Sequence, residues 1–159
     1  MEDAMNQTLD RNQTSSLKII SFFLGQQVFS VNIMSVREIR GWTPATPLAH
    51  VPRHVLGVIN LRGTVIPVID MALRLGLAAI TPTERSAIIV ASVRGQLVGL
   101  LVDNVSDMVT VAADEIQSVP EVGATEVQRM TTSIIAKDNQ MISHLDLDSV
   151  LDEVGELAA

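Results

Sequence analysis

VPRHVLGVINLRGTVIPVIDM, residues 51–71, is aliphatic at nearly every position except its middle, where Asn60-Leu61-Arg62-Gly63-Thr64 sets one arginine beside one glycine. The flanking runs, 55–61 and 64–69, are rich in Val and Ile and of strand length, so the stretch reads as a β-hairpin. Both arms are apolar at almost every residue rather than at alternate ones, as in strands buried on two faces. Gly63 suits the turn because it adopts positive φ without a steric cost. A turn does not ask for Arg62. A phosphate-cradling loop would need four residues between its glycines and a Lys-Ser or Lys-Thr after the second. Gly57 to Gly63 encloses five and no lysine follows, so that reading fails.

Outward from the hairpin, short apolar runs recur at 18–24, 27–33, 87–93, 97–102, 108–111 and 141–145, with Gly, Asn, Asp or Pro between many of them. That is the pattern of an all-β barrel or sandwich. Helical signals are brief. Asp70 is placed to cap a turn of helix over 71–75 that Gly76 stops. Asp146 or Asp148 is placed to cap another through Ser149, Val150, Leu151 and Val154, ending near Gly155. Apolar residues at 33, 36 and 39 predict one helical turn over 34–39.

The composition agrees. Of 159 residues, 47% are hydrophobic but only 3% aromatic, so the core must be packed from branched aliphatics, Leu, Met and Ala, a mixture that favours strands. The length fits one domain or two small lobes sharing a core. A net charge of −7 makes nucleic acid and anionic membranes poor electrostatic partners. The absence of Cys excludes disulfides, thiolate metal sites and cysteine nucleophiles. No basic start with an apolar core opens the chain, and no apolar run approaches the ~20 residues that span a bilayer. We expect a soluble cytoplasmic protein with no direct membrane insertion and a disordered polar tail over residues 1–16.

A faint internal repeat runs through the sequence. GQQV at 25–28 returns as GQLV at 95–98, Glu38-Ile39 as Asp107-Met108, and Val51-Pro52 as Val119-Pro120, at offsets close to 70. Gly63 pairs with Asn139 and Asp70 with Asp146, both at 76. Each pair answers one physical need: Gly63 and Asn139 tolerate positive φ, and Asp70 and Asp146 cap helices. The repeat predicts two similar lobes, about 17–80 and 81–155, each a small barrel packed on the other. At the Arg62 position the second copy has Asp138, so something beyond the turn selects arginine.

Reactive constellations are not evident. His50 and His54 have the spacing of a helical metal pair, but Pro52 between them argues against a helix, and surface or loop positions are the simpler expectation for all three histidines, His144 included. The acidic residues, among them Asp103, Asp107, Asp114 and Glu115, read as solvated loop and cap positions. No G-x-S-x-G elbow is present, and the seven Met residues read as adaptable packing. We therefore expect no enzyme, no cofactor and no metal; a hydrolase or metal enzyme would have to rest on residues such as Asp103 or Asp107. What remains is Glu38 and Arg62, each among apolar residues. One reading is a salt bridge fastening residues 34–40 to the hairpin tip. The other makes the same pair part of a docking surface.

Four elements together resemble the CheW family, the coupling or scaffold proteins of bacterial chemotaxis: VREIRG at 36–41, GVINLRG at 57–63, IPVID at 66–70 and VGLLVDNVSD at 98–107. The resemblance covers residues 17–154, loosely over 121–132, and departs in the proline-stiffened linker 43–47. It implies two small five-stranded SH3-like β-barrels with a shared hydrophobic interior and short helices. It further implies a non-enzymatic, cytoplasmic adaptor, recruited to receptor arrays. Its partners would be the cytoplasmic tip of methyl-accepting chemoreceptors and the regulatory domain of a CheA-type histidine kinase. Carried over residue by residue, the partner surface would include Val36, Glu38, Ile39, Gly57, Asn60, Leu61 and Arg62. An adaptor of a non-flagellar sensory array is the alternative output. With the chain ending at Ala159, a relative carrying an added receiver domain is not expected.

Overall fold

The 51–71 stretch folds as the hairpin its pattern predicts. Strand β4 (Val55–Leu61) pairs antiparallel with β5 (Thr64–Asp70), Leu61 opposite Thr64, so that Arg62-Gly63 forms a two-residue turn. Both turn residues have positive φ, 50° and 89°, as a type I′ turn requires. The computed structural model describes residues 17–120 and 125–151. The tail over 1–16 and the helix end expected near Gly155 lie outside them.

The remaining strands are β1 (Leu17–Leu24), β2 (Gln27–Asn32), β3 (Val36–Gly41), β6 (Ala87–Val93), β7 (Gln96–Val102), β8 (Asn104–Val111), β9 (Ile116–Gln117), β10 (Thr131–Lys137) and β11 (Gln140–Leu145). Among the described residues three short helices interrupt them: α1 (Met71–Arg74), α2 (Glu126–Met130) and α3 (Leu147–Leu151). Asp70 caps α1 as expected, its Oδ1 accepting from the Leu73 N–H at 3.1 Å. Asp146 serves α3, Oδ1 accepting from the Asp148 N–H and Oδ2 from the Ser149 hydroxyl. The helical turn expected over 34–39 shrinks to a 3-10 turn, Ile33–Ser35, after which the chain extends into β3. Val36 and Ile39 are β-branched, and pairing with β6 outweighs their weak helical spacing.

Two sheets result, in the orders β8-β1-β2-β11-β10-β9 and β3-β6-β7-β5-β4. Equating the halves strand by strand (β1 with β6, β2 with β7, β3 with β8, β4 with β10, β5 with β11) gives both sheets the same order: third, first, second, fifth, fourth. Each contains one parallel pair, β2 with β11 and β7 with β5. The turns Arg62-Gly63 and Asp138-Asn139 correspond, all four residues at positive φ. Five principal strands per sheet were expected; the two-residue β9 adds a sixth to one of them.

The sheets do not divide the chain near residue 80 into a first and a second lobe. Each takes its first two equivalent strands from one half and the others from the opposite half. The 3-10 turn makes the exchange: the Asn32 side chain accepts from the Met34 N–H at 2.9 Å, turning the chain away from β1 and β2 so that β3 lies along β6. A half of this size buries too little apolar surface alone. Interleaving brings both halves into one shared core, in which Phe22, Phe29, Ile69, Ile89, Leu100 and Val150 are essentially inaccessible. A smaller cluster, Ile59, Ile66, Val68, Ile88 and Leu101, belongs to the five-stranded sheet, and another, Ile19, Val111, Ile135 and Ile142, to the six-stranded one.

Two titrating groups bind the six-stranded sheet. His144 is buried on β11, contrary to the surface or loop placement expected; His54 lies in a turn, within that expectation, but is buried as well. At the β2–β11 junction, His144 Nδ1 shares a hydrogen bond with the Ser30 hydroxyl at 2.8 Å. Burial holds its pKa below the usual histidine value, with Asp146 opposing. Glu115 accepts from the Ala112 N–H and from Lys137 Nζ, which lower its pKa, and Lys137 also donates to the Thr110 carbonyl on β8. Both folded values lie below the unfolded ones, so both contributions are present above the unfolded pKa and lost on acidification. Urea midpoints are therefore expected to fall in two stages, just below the ordinary histidine range and again below that of glutamate. The second stage should shrink in Glu115→Gln; an unchanged acid profile in that variant would count against it.

Candidate docking site

In isolation the Arg62-Gly63 turn is half well chosen. Glycine is at home at positive φ, but an L-residue with a Cβ is not, and arginine there opposes local preference. The corresponding turn uses Asp138-Asn139, residue types that tolerate this conformation. At 62 the arginine side chain has a partner that offsets this preference. Nη2 lies 2.8 Å from Glu38 Oε1 and Nη1 lies 3.5 Å from Oε2, a two-pronged contact.

The contact joins the two edges of the five-stranded sheet. Glu38 sits on edge strand β3 and Arg62 directly follows edge strand β4 in the turn, so the ion pair spans the two edges. Lys137, which ends β10, reaches β8 in the same way through the Thr110 carbonyl. The Arg62 side chain is 73% exposed and that of Glu38 27%, so the carboxylate is the fixed member and the guanidinium is presented to solvent. At this exposure the pair contributes about 0–1 kcal/mol to stability. Asn60 holds the turn from inside, its Oδ1 accepting from the Gly63 N–H at 2.8 Å.

The structure divides the seven expected surface residues into two sets. Glu38, Ile39, Asn60 and Arg62 reach solvent; Ile39 is 42% exposed, and Met34, in the preceding turn, 78%. Val36 is half-buried against the shared core. Gly57 and Leu61 are buried, and their expected place on the contact surface is corrected to a supporting one. Leu61 faces the core of the five-stranded sheet because the alternation along β4 turns it opposite to Asn60. Gly57, at φ +146°, lies where the chain at Thr46-Pro47 crosses β4, and a Cβ there would run into the Thr46 carbonyl. Thr46 exchanges backbone hydrogen bonds with Val58 at 2.8 and 2.9 Å, so the proline-stiffened linker straps the free edge of β4.

A second Arg-Gly turn, Arg94-Gly95, joins β6 to β7, and Arg94 again faces a carboxylate, Asp148, at 3.4 Å. The repeated Arg-Gly pair was the available signal in the sequence. Among the described residues no three or more His, Asp or Glu side chains converge as a metal site would require. None of the helices there is long and apolar enough to cross a membrane.

Two interleaved β-sheets around one shared core, with an exposed ion pair bridging the edges of one of them, make up the class of fold to which the chain belongs. The chain matches the family model described as the CheW-like domain over residues 18–155, and it belongs to that family. It is 51% identical over 142 residues to the probable chemotaxis protein CheW of Rhizobium etli, covering 89% of this chain and 92% of that one. The chemotaxis protein CheW of Bacillus subtilis is 32% identical over 142 residues, covering 89% and 91%. The crystal structure of the scaffolding protein TtCheW from Thermoanaerobacter tengcongensis superposes with a TM-score of 0.80 at 29% identity, covering 86% of this chain and 92% of that one.

Proposed function

We propose that this chain is a non-enzymatic adaptor of chemotaxis signalling, which couples methyl-accepting chemoreceptors to a CheA-type histidine kinase. The observation that carries the reading is the likeness to chemotaxis CheW proteins along nearly the whole length of both chains. The surface suits an adaptor. A guanidinium is held outward by Glu38, on the strand that also carries the exposed Ile39 and the half-buried Val36, with the buried Gly57 and Leu61 fixing the strand behind Arg62. An exposed arginine with adjoining aliphatics is the residue mixture that anchors protein interfaces. The adaptor works in the cytoplasm and reaches the membrane only through its receptors. It needs no cofactor.

Titration of the labelled protein with a receptor-tip fragment and with the kinase regulatory domain tests this, read as chemical-shift changes. Shifts clustered at Glu38, Ile39, Asn60 and Arg62 are expected with at least one partner; no binding to either would sink the reading. Arg62→Ala should keep the native circular dichroism, lose at most ~1 kcal/mol of stability, and lose coupling. Global unfolding of that variant would instead make the pair a structural one.

A further inference from the structure

The two halves are interleaved through both sheets, yet one stretch of chain joins them. β1 and β2 of the first half lie between β8 and β11 of the second, while β6 and β7 of the second lie between β3 and β5 of the first. Between α1 and β6 the chain has no regular structure; Leu75, Leu77 and Ile80 still pack on the core, and the crossing itself is made by residues 81–86. Residues 81–85 of this link are all exposed, and it is held upstream by the Ile80 N–H donating to Asp70 Oδ2 at 2.9 Å.

Neither half holds a complete sheet. Without the second, β1 and β2 lose β8 and β11 from their outer edges, and β3 and β5 lose the two strands that separate them. The shared core divides in the same way: Phe22, Phe29 and Ile69 come from one half, Ile89, Leu100 and Val150 from the other. Taken apart from the other, each half would present open strand edges and an apolar face that only the opposite half covers, and a second copy of this chain carries that half as well. We propose that two copies exchange halves, forming a twofold dimer in which the first half of each pairs with the second half of the other.

Every sheet pairing and core contact of the monomer recurs in such a dimer, and the difference is confined to the link. Exchange of identical elements is for this reason a low-cost route to dimers. The balance is set by the effective concentration that the link gives the two halves within one chain, against the concentration of other chains. Glu38 and Arg62 both lie in the first half, so exchange leaves the pair intact and the dimer presents it twice. The doubled docking surface rests on the proposed adaptor role; the exchange itself does not.

A full-length chain with a protease site inserted between Pro82 and Thr83 provides the test. Unlabelled and uniformly 15N-labelled batches are unfolded together, refolded at high concentration, and the dimer is isolated, cut at the link and weighed by native mass spectrometry. The expected product is a monomer-sized particle containing one light and one heavy half. Failure to form any dimer, or particles whose halves always share a label, overturns the proposal. Deletion of residues 81–84 is expected to shift the chain towards dimer, and a shortened chain that stays monomeric at every concentration also overturns it. Neither readout involves receptor or kinase binding, so its failure is distinct from failure of the adaptor reading.

Discussion

Gly57→Val is expected to destabilise the fold by about 2–4 kcal/mol, the combined cost of a side chain at a backbone conformation reserved for glycine and of a Cβ forced into a packed strap. The residue has φ +146°, and its Cβ would meet the Thr46 carbonyl and come within 2.9 Å of Pro47 Cα, both backbone atoms that cannot swing aside. Relief requires lifting residues 46–47 off β4, which would break the two hydrogen bonds between Thr46 and Val58. Gly63→Asn is the control: it also has positive φ, but nothing lies within 4 Å of a Cβ there, and Asn139 occupies the corresponding turn. That change should cost well under ~1 kcal/mol. Urea unfolding of both variants measures the contrast. Equal midpoints would mean that the strap is not fixed on β4. If Gly57→Val stays folded, the displaced strap should also weaken partner binding, because β4 positions Arg62.

Sequence periodicity made β4, β5, β6 and most of β7 legible as aliphatic runs bounded by turn residues, and the cap at Asp70 followed from its position before α1. Burial on two faces, expected for both arms of the 51–71 hairpin, holds instead for β6 and β7 inside the sheet; β4 is an edge strand that buries alternate residues, and β5 begins with two exposed ones. β10 was not legible: TTSIIAK mixes polar and apolar residues without a clear alternation, because its burial comes from neighbours on either side rather than from its own pattern. The repeat was readable from a few matched pairs, but the exchange of strands between halves was not, since a repeat fixes which elements are equivalent and leaves open which copy they pair with. For the candidate site, the partnership of Glu38 with Arg62 was readable as two charges stranded among aliphatics. The burial of Gly57 and Leu61 was not, because it depends on residues 46–47 crossing β4 and on which way β4 faces.

Arg74→Met is expected to cost about 3 kcal/mol, through loss of charged hydrogen bonds and of a buried charge that has become part of the packing. Arg74 is 9% exposed on α1, in the first half. Its Nε donates to the Val150 carbonyl at 2.7 Å and Nη2 to the Ser149 carbonyl at 3.1 Å, both on α3 in the second half, while Nη1 lies 3.7 Å from Glu126 on α2. One guanidinium thus ties together the three short helices of the described residues, and it does so through two successive carbonyls of α3. Methionine preserves much of the apolar stem but leaves these carbonyls without their donor. Arg74→Lys keeps the charge but replaces a planar fork by a single ammonium, so it should fall between wild type and Arg74→Met. Hydrogen exchange gives the sharper measurement: the Val150 amide, which donates to the Asp146 carbonyl, should lose protection in Arg74→Met before the strands of the shared core do. Wild-type stability in Arg74→Met would show that apolar packing alone seats α3, and that the arginine is not what joins the helices of the two halves.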